Sequence, residues 1–347
     1  MVRIRSGWLA AIAAVGLVTG ACKKNDDKTA KTGSGATTAP ASGDKTAATP
    51  VAVAGADDLA LLPVDSEMVM GLNFAQLQQS ALWKQFSPKL MEKAGASLAE
   101  FKVACGFDPL EAIKSVSMGL KGLGGAMPDG AVVVHGPEKS KVMACMDKAK
   151  TEAAKNGTDI TVDGDVFLVK DKNGQTTAFT FVNDTTLLGT IGTMGTKDGV
   201  LAAAKGQSNL KTSPTFTDMY SKINTSESLW LLMNGNSPAF KQMGAMGVKP
   251  KAVFGSINVT DGLTVDMRIR LGTPDEAKSL VTMLQGQINN PQVKQMFDKL
   301  DVVQDGSDAK FGLAMSNQKL QQLIQMVGGM MGGMMSGGGS MGGPGAP

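Results

Sequence analysis

Cysteine is the residue type whose placement says most about chemistry in this 347-residue chain, which has three. Cys22 stands between an apolar run and a pair of lysines, in the phrase VTGACKK. Cys105 and Cys145 each lie on the apolar face of a predicted helix. A cysteine thiol can be acylated, joined in a disulfide, or buried as a small apolar group. The residues around each cysteine indicate which of these applies.

The residues before Cys22 have the order of an export signal. Arg3 and Arg5 come first, an apolar or small-residue run follows over residues 8–18, and small residues lead up to the cysteine. The run is too short to span a bilayer. The pattern resembles the lipobox of bacterial lipoproteins, with Thr19 at a position where the family has Leu, Val or Ile. The resemblance implies that residues 1–21 are removed and that Cys22 is acylated, with palmitate among the chains it carries.

Two further features bear on where the anchored protein lies. In the lipoprotein family an aspartate after the cysteine keeps the protein at the inner membrane, and here Lys23 follows, which favours the outer membrane. Residues 23–56 contain no aromatic residue and no leucine, so they predict a disordered tether. The Gly- and Met-rich residues 328–347 predict a disordered tail. We therefore expect a bacterial envelope protein attached to a membrane by its N-terminal lipid.

The charge balance argues against a nucleic-acid partner. The chain has 34 basic and 31 acidic residues, and the predicted signal takes away two of the arginines. A nearly neutral protein has no field to steer it toward nucleic acid. Only Arg268 and Arg270 remain to clamp a phosphate in the bidentate way.

Between tether and tail, short strand patterns alternate with amphipathic helices. Asn173-Gly174 and Asp261-Gly262 are typical of tight turns between antiparallel strands. Strand pairs joined by such turns and interrupted by helices predict an α+β fold with antiparallel sheets and helices packed on one face.

The strand pattern also restarts. The phrase SESLWLLMN at residues 226–234 echoes DSEMVMGLN at residues 65–73, and each copy ends in Asn before a predicted helix. We therefore predict two degenerate repeats forming a bilobed body, over residues 57–225 and 226–327.

The phrases LLPVDSEMVMGLNFAQLQQSALW and ACGFDPLEAIKSVSMGLKG resemble a family of uncharacterised bacterial envelope lipoproteins. Domains of that family open with a Leu-Pro-x-Asp phrase, a strand and a Leu-x-x-Ser-x-Leu-Trp helix. The resemblance covers about residues 60–205. It implies the same kind of body, and no activity or site residue comes with it.

Cys105 and Cys145 are the thiols that remain once Cys22 is acylated. An even number of thiols in an exported protein favours a disulfide between them. The bridge would be structural, because the pair is not a Cys-x-x-Cys and both thiols face the core. The alternative is two inert buried thiols.

Other residues suited to chemistry give weaker patterns. His135 is the single histidine and is expected near the surface at a strand end, unless a Ser or Asp from elsewhere joins it in a hydrolase site. Ser307 and Lys310 match Ser-x-x-Lys, but the phrase reads as a hairpin turn, and the other motifs of penicillin-recognising enzymes do not follow it. No cofactor motif is present, and none is expected.

The tail raises one alternative involving metal. Thioether sulfur suits Cu(I), so the four clustered methionines Met330, Met331, Met334 and Met335 form a weak candidate copper site. A structureless tail explains the same composition.

These patterns together predict a non-enzymatic binding or scaffolding protein on a membrane surface. Three alternatives stay open: a carrier of an apolar ligand in a sheet-lined pocket, a hydrolase with a site assembled from distant residues, and copper binding by the tail. The partner is an unidentified protein or a small apolar ligand.

Overall fold

The structure is a computed structural model that describes residues 57–123, 128–155, 157–235, 237, 240, 244 and 247–325. The predicted signal, the acylated Cys22, the tether and the methionine tail with its candidate copper ligands lie outside the described residues.

One antiparallel sheet organises the described part of the chain. It contains twelve strands in the order β11-β12-β10-β9-β8-β1-β2-β3-β7-β6-β5-β4. The strands are β1 (Met68–Asn73), β2 (Ser115–Lys121), β3 (Asp129–His135), β4 (Asp159–Asp163), β5 (Val166–Lys170), β6 (Thr176–Asn183), β7 (Thr186–Ile191), β8 (Leu229–Asn234), β9 (Ala252–Asn258), β10 (Gly262–Arg270), β11 (Lys299–Asp305) and β12 (Asp308–Ser316). The predicted α+β class with antiparallel pairing is confirmed.

Helices occupy the connections between strands. They are α1 (Phe74–Gln79), α2 (Ala81–Cys105), α3 (Pro109–Ala112), α4 (Lys139–Lys155), α5 (Lys197–Ala204), α6 (Pro214–Tyr220), α7 (Pro274–Ile288) and α8 (Pro291–Met296). Residues 317–325 are also helical. No helix among the described residues is both long enough and apolar enough to cross a membrane.

The helices cover both faces of the sheet, so the prediction of helices on one face is wrong. Alternate residues of β3 point to opposite sides, and Val133 packs with Val200 of α5 and Phe216 of α6. On the other side, Val134 joins a separate apolar cluster, and α4 packs over the neighbouring strands there. We call the side of Val133 the front face and the side of Val134 the back face. The near-continuous apolar run of β3 reflects burial on both faces.

Local signals fix several boundaries. The apolar spacing of residues 74–86 predicts one helix, but Ser80 begins α2, its side chain accepting a hydrogen bond from the Trp83 amide, so this segment contains two helices. Gly106 ends α2 in the left-handed conformation, with φ 77°, as a glycine after an amphipathic segment indicates. The predicted hairpin at Asn173-Gly174 joins β5 to β6. The residue types of segment 160–170 predict one strand, whereas the structure has a hairpin that turns at Gly164.

The two echoing segments lie side by side at the centre of the sheet. β1 and β8 are antiparallel, with Met70 opposite Leu231, the corresponding residue of the other copy. On either side of this pair, the order β1-β2-β3-β7-β6 corresponds to β8-β9-β10-β12-β11. The halves are thus related by an approximate two-fold axis through the sheet. The two halves share one continuous sheet.

Candidate functional site

Cys105 and Cys145 form a disulfide, as the sequence predicts. Cys105 is the last residue of α2 and Cys145 lies in α4, with 4.5 Å between their Cα atoms and 40 residues between them in sequence. Both cysteines are buried. Closing a loop of this length removes conformational freedom from the unfolded chain, an effect of roughly 4 kcal/mol. The disulfide therefore fixes the end of α2 against α4.

An apolar pocket of about 100 Å³ lies directly beneath this bridge, on the back face. The strands β3, β5, β6 and β7 form its floor, α4 and Pro137 one wall, the end of α2 with Phe107 another, and α3 with Ile113 a third. The lining residues are Phe101, Phe107, Pro109, Ala112, Ile113, Val132, Val134, Pro137, Val142, Cys145, Met146, Phe167, Phe179, Leu187 and Gly189. All of them are apolar, and the sulfur-bearing side chain of Cys145 is one of them.

Sequence periodicity explains how these side chains meet. Val132 and Val134 alternate along β3, and Val142, Cys145 and Met146 recur at the spacing of one helix face. Gly189 leaves room on the floor, because a β-carbon there would lie 2.8 Å from the Phe179 ring.

The aromatic wall is held by its own packing. Phe101 and Phe107 meet edge to face, with 5.2 Å between their ring centroids. They lie on either side of Cys105 and of the turn that ends α2, so the disulfide and the aromatic wall share one short segment. The position of this wall depends on that segment.

The lining of the pocket decides what it can hold. With no charged or polar side chain among the lining residues, it offers nothing to orient a polar substrate and no group to transfer a proton. An engineered cavity of about 150 Å³ admits benzene. A pocket of about 100 Å³ therefore matches a segment of an alkyl chain whose polar end remains outside.

His135, the other candidate from the sequence, belongs to a polar cluster on the front face. Its Nε2 lies 2.7 Å from a carboxylate oxygen of Asp58, and its Nδ1 lies 3.1 Å from the Thr186 hydroxyl oxygen. The second oxygen of Asp58 accepts a hydrogen bond of 2.7 Å from the Ser117 hydroxyl. Sequence reasoning missed Asp58, because nothing in the phrase DDLALLP marks one aspartate as buried.

The hydrogen bonds of this cluster differ from those of a hydrolase site. The Ser117 hydroxyl donates its hydrogen bond to Asp58 and not to the imidazole. Thr186 is the hydroxyl beside the imidazole, and only 5% of its surface is exposed. We assign the cluster to anchoring the 3-10 turn Asp58–Ala60 on the sheet.

In the second half, an ion pair occupies the corresponding position. His135 pairs with Ser115 and Thr186 across the sheet, and Arg270 pairs with Ala252 and Asp308 in the same register. The Nε and Nη2 atoms of Arg270 donate to the two carboxylate oxygens of Asp308 at 2.7 and 3.0 Å. These hydrogen bonds raise the pKa of Arg270 above its already high value.

The remaining motifs have structural explanations. Ser307 lies in the β11–β12 turn, and Lys310 on β12 pairs with Asp266 at 3.0 Å, so the hairpin reading is confirmed. In the part of the chain that the structure describes, no three His, Cys, Asp or Glu side chains are placed to hold a metal ion.

Comparison with known proteins adds little to this site. No family model matches the chain, and no curated protein matches it. Among solved structures it is similar to TP0453 in crystal forms IV and III, with 8% and 10% sequence identity. The match covers 77% of this chain and 95% and 96% of the other, with a TM-score of 0.47 in both cases. A likeness at this level carries no argument about the site or its ligand.

Proposed function

We propose that this chain is a non-enzymatic, lipid-anchored envelope protein whose body binds a small apolar ligand. The observation that supports this most is the wholly apolar pocket beneath the disulfide. Binding pockets usually combine an apolar lining with a few polar groups that fix the ligand. Here the polar groups are missing from the lining, which favours a ligand recognised by shape and apolarity alone.

The ligand class follows from the size of the pocket. Its volume is well below the roughly 300 Å³ at which pockets for drug-sized molecules begin. By proportion with the cavity that holds benzene, an alkyl segment of about four methylenes fits, and at roughly 0.8 kcal/mol each on burial it would contribute about 3 kcal/mol. This corresponds to a dissociation constant on the order of 1–10 mM. We therefore expect weak binding of the end of an acyl chain.

The proposed lipid anchor would bring the pocket close to a source of its ligand. Acylation of Cys22 would place the body at a membrane surface on the tether of residues 23–56, next to a large supply of acyl chains. Lys23 favours the outer membrane for this attachment. The alternative of a scaffold for another protein becomes the better account if the pocket stays empty.

A pair of matched substitutions tests the proposal. Ala112 lines the pocket, whereas Ala144 is exposed on α4. We expect Ala112→Phe to fill the pocket and to weaken binding of the alkyl probe 10,10,10-trifluorodecanoate, followed by ¹⁹F NMR, and its displacement by decanoate, at least tenfold. Ala144→Phe should leave both unchanged. Equal affinities in the two variants would remove the pocket as the binding site.

A further inference from the structure

The disulfide joins opposite walls of the pocket. Cys105 belongs to the wall that carries Phe101 and Phe107, and Cys145 belongs to the α4 wall that carries Val142 and Met146. The bridge therefore fixes the distance between the two walls. No residue of the floor belongs to the disulfide. Breaking the disulfide would therefore let the two walls move apart and leave the sheet beneath them unaltered.

Few other contacts hold the end of α2 in place. Of the α2 side chains that the structure describes, only Phe101 and Cys105 are buried. Outside the aromatic contact, Lys148 donates to the Ala104 carbonyl at 3.2 Å, and Lys102 pairs with a carboxylate of the next loop at 3.5 Å. Both lysine contacts are exposed, and exposed pairs of this kind contribute little. The disulfide is therefore the strongest constraint on this wall.

We propose that the Cys105–Cys145 disulfide, which the sequence predicts to be purely structural, is also the clasp of the apolar pocket, so that the bridged protein releases its ligand slowly and the reduced protein releases it quickly. This inference rests on the proposed function and adds its regulation. The clasp opens when a dithiol reductant attacks one sulfur, breaks the S–S bond, and supplies two electrons and two protons. The products are two protein thiols and the oxidised reductant.

Burial of the bridge connects the clasp to the ligand. Cys145 is 3% exposed and Cys105 is 8% exposed, so a reductant reaches the sulfur atoms only when the end of α2 moves away from α4. The same movement opens the pocket beneath them. A bound ligand favours the closed arrangement and should therefore slow reduction of the disulfide.

The experiment uses the chain from residue 22 with Cys22→Ser, so that Cys105 and Cys145 are its thiols. Reduction by dithiothreitol is followed by thiol labelling, with and without saturating decanoate, and release of the fluorinated probe is followed by ¹⁹F exchange NMR. We expect decanoate to slow reduction at least fivefold, and reduction to speed probe release at least tenfold. In the Ala112→Phe variant, decanoate should no longer change the rate of reduction.

The outcomes separate the two proposals. If the bridged chain binds the probe and decanoate leaves the reduction rate unchanged, the clasp is wrong and the proposed function stands. If the bridged chain binds no probe, the proposed function is wrong as well. The protection measurement is made on the bridged, folded chain, so it decides the question even where the reduced chain loses its fold.

Discussion

The back face carries two sites at corresponding positions, and they differ completely in chemistry. In the first half, α4 and the segment before β2 enclose the apolar pocket. In the second half, α7 and the segment before β9 border a cleft of about 400 Å³ lined by Gly247, Val248, Lys249, Leu271, Asp275, Glu276, Ser279, Leu280 and Met283. One lysine and two carboxylates stand where the first half has only apolar side chains. The same scaffold thus supports different sites, and the side chains alone decide what each can bind.

The disulfide is a second difference between the two halves. Cys145 lies ten residues after His135, and Leu280 lies ten residues after Arg270. Leu280 is therefore the residue of the second half that corresponds to Cys145. An apolar side chain there packs into the cluster beneath α7. Among the described residues, only the first half has a covalent closure over its site, which fits the proposal that the bridge slows release of the ligand.

We expect the two halves to differ most in the stability lost by substitution at the end of β10, beside Arg270, and at the end of β3, beside His135. Asp308→Ala removes the bidentate partner of the half-buried Arg270 and leaves Asp218 as its carboxylate partner, and we expect a loss of about 3 kcal/mol in the free energy of unfolding. Thr186→Ala, at the corresponding position, removes one side-chain hydrogen bond and should cost about 1 kcal/mol. Urea denaturation measures both. Equal losses would refute the distinction between a bidentate ion pair and a single hydrogen bond.

A smaller effect is expected at Asp58. Asp58→Ala removes the partner of His135 and Ser117 and leaves the buried Ser117 hydroxyl and the partly buried His135 ring without it, at a cost of about 1–3 kcal/mol. Asp57→Ala is the matched control, because Asp57 is exposed. Probe binding should be unchanged in both variants, because this cluster lies on the front face. A loss of probe binding together with intact stability would give the cluster a functional role.

The second cleft offers a sharper control for the pocket. Lys249 occupies the position in its segment that Ala112 occupies before β2. Lys249→Phe should leave probe affinity within about twofold of the unmodified protein, in contrast to the tenfold loss expected for Ala112→Phe. A comparable loss would show that the probe binds in the second cleft.

We expect falling pH to destabilise the second half before the first, by a modest amount. Hydrogen bonds from Arg270 and Arg268 lower the pKa of Asp218 and Asp305, respectively. A carboxylate whose pKa is lowered by folding stabilises the protein above its unfolded pKa of about 3.9, and this contribution is lost as the pH falls through the folded pKa. Amide exchange near pH 3 should therefore rise in β10–β12 before it rises in β3 and β7. The reverse order would contradict this account.

Local signals in the sequence predicted the parts of the molecule that depend on neighbouring residues. The turn at Asn173-Gly174, the end of α2 at Gly106 and the apolar helix faces of Cys105 and Cys145 all follow from spacing and residue type. Each needs only a few residues of chain to specify it.

The errors concern long-range choices. The pairing of β1 with β8 joins the two halves in one sheet and brings together segments whose contact no local pattern predicts. The helices on both faces follow from strands that are apolar on both sides, such as β3, where alternation gives no direction. The pocket could not be predicted either, because it exists only where α2, α3 and α4 meet over the sheet.

The central claim, that the pocket under the disulfide binds an alkyl chain, is tested most directly by locating a heavy-atom ligand. A crystal structure of the bridged protein with 10-bromodecanoate, measured at the bromine absorption edge, reveals the end of the chain. The account predicts anomalous density between Phe101 and Met146, above Val134. Bromine density confined to other sites, or absent at saturating ligand while the pocket remains empty, would contradict it.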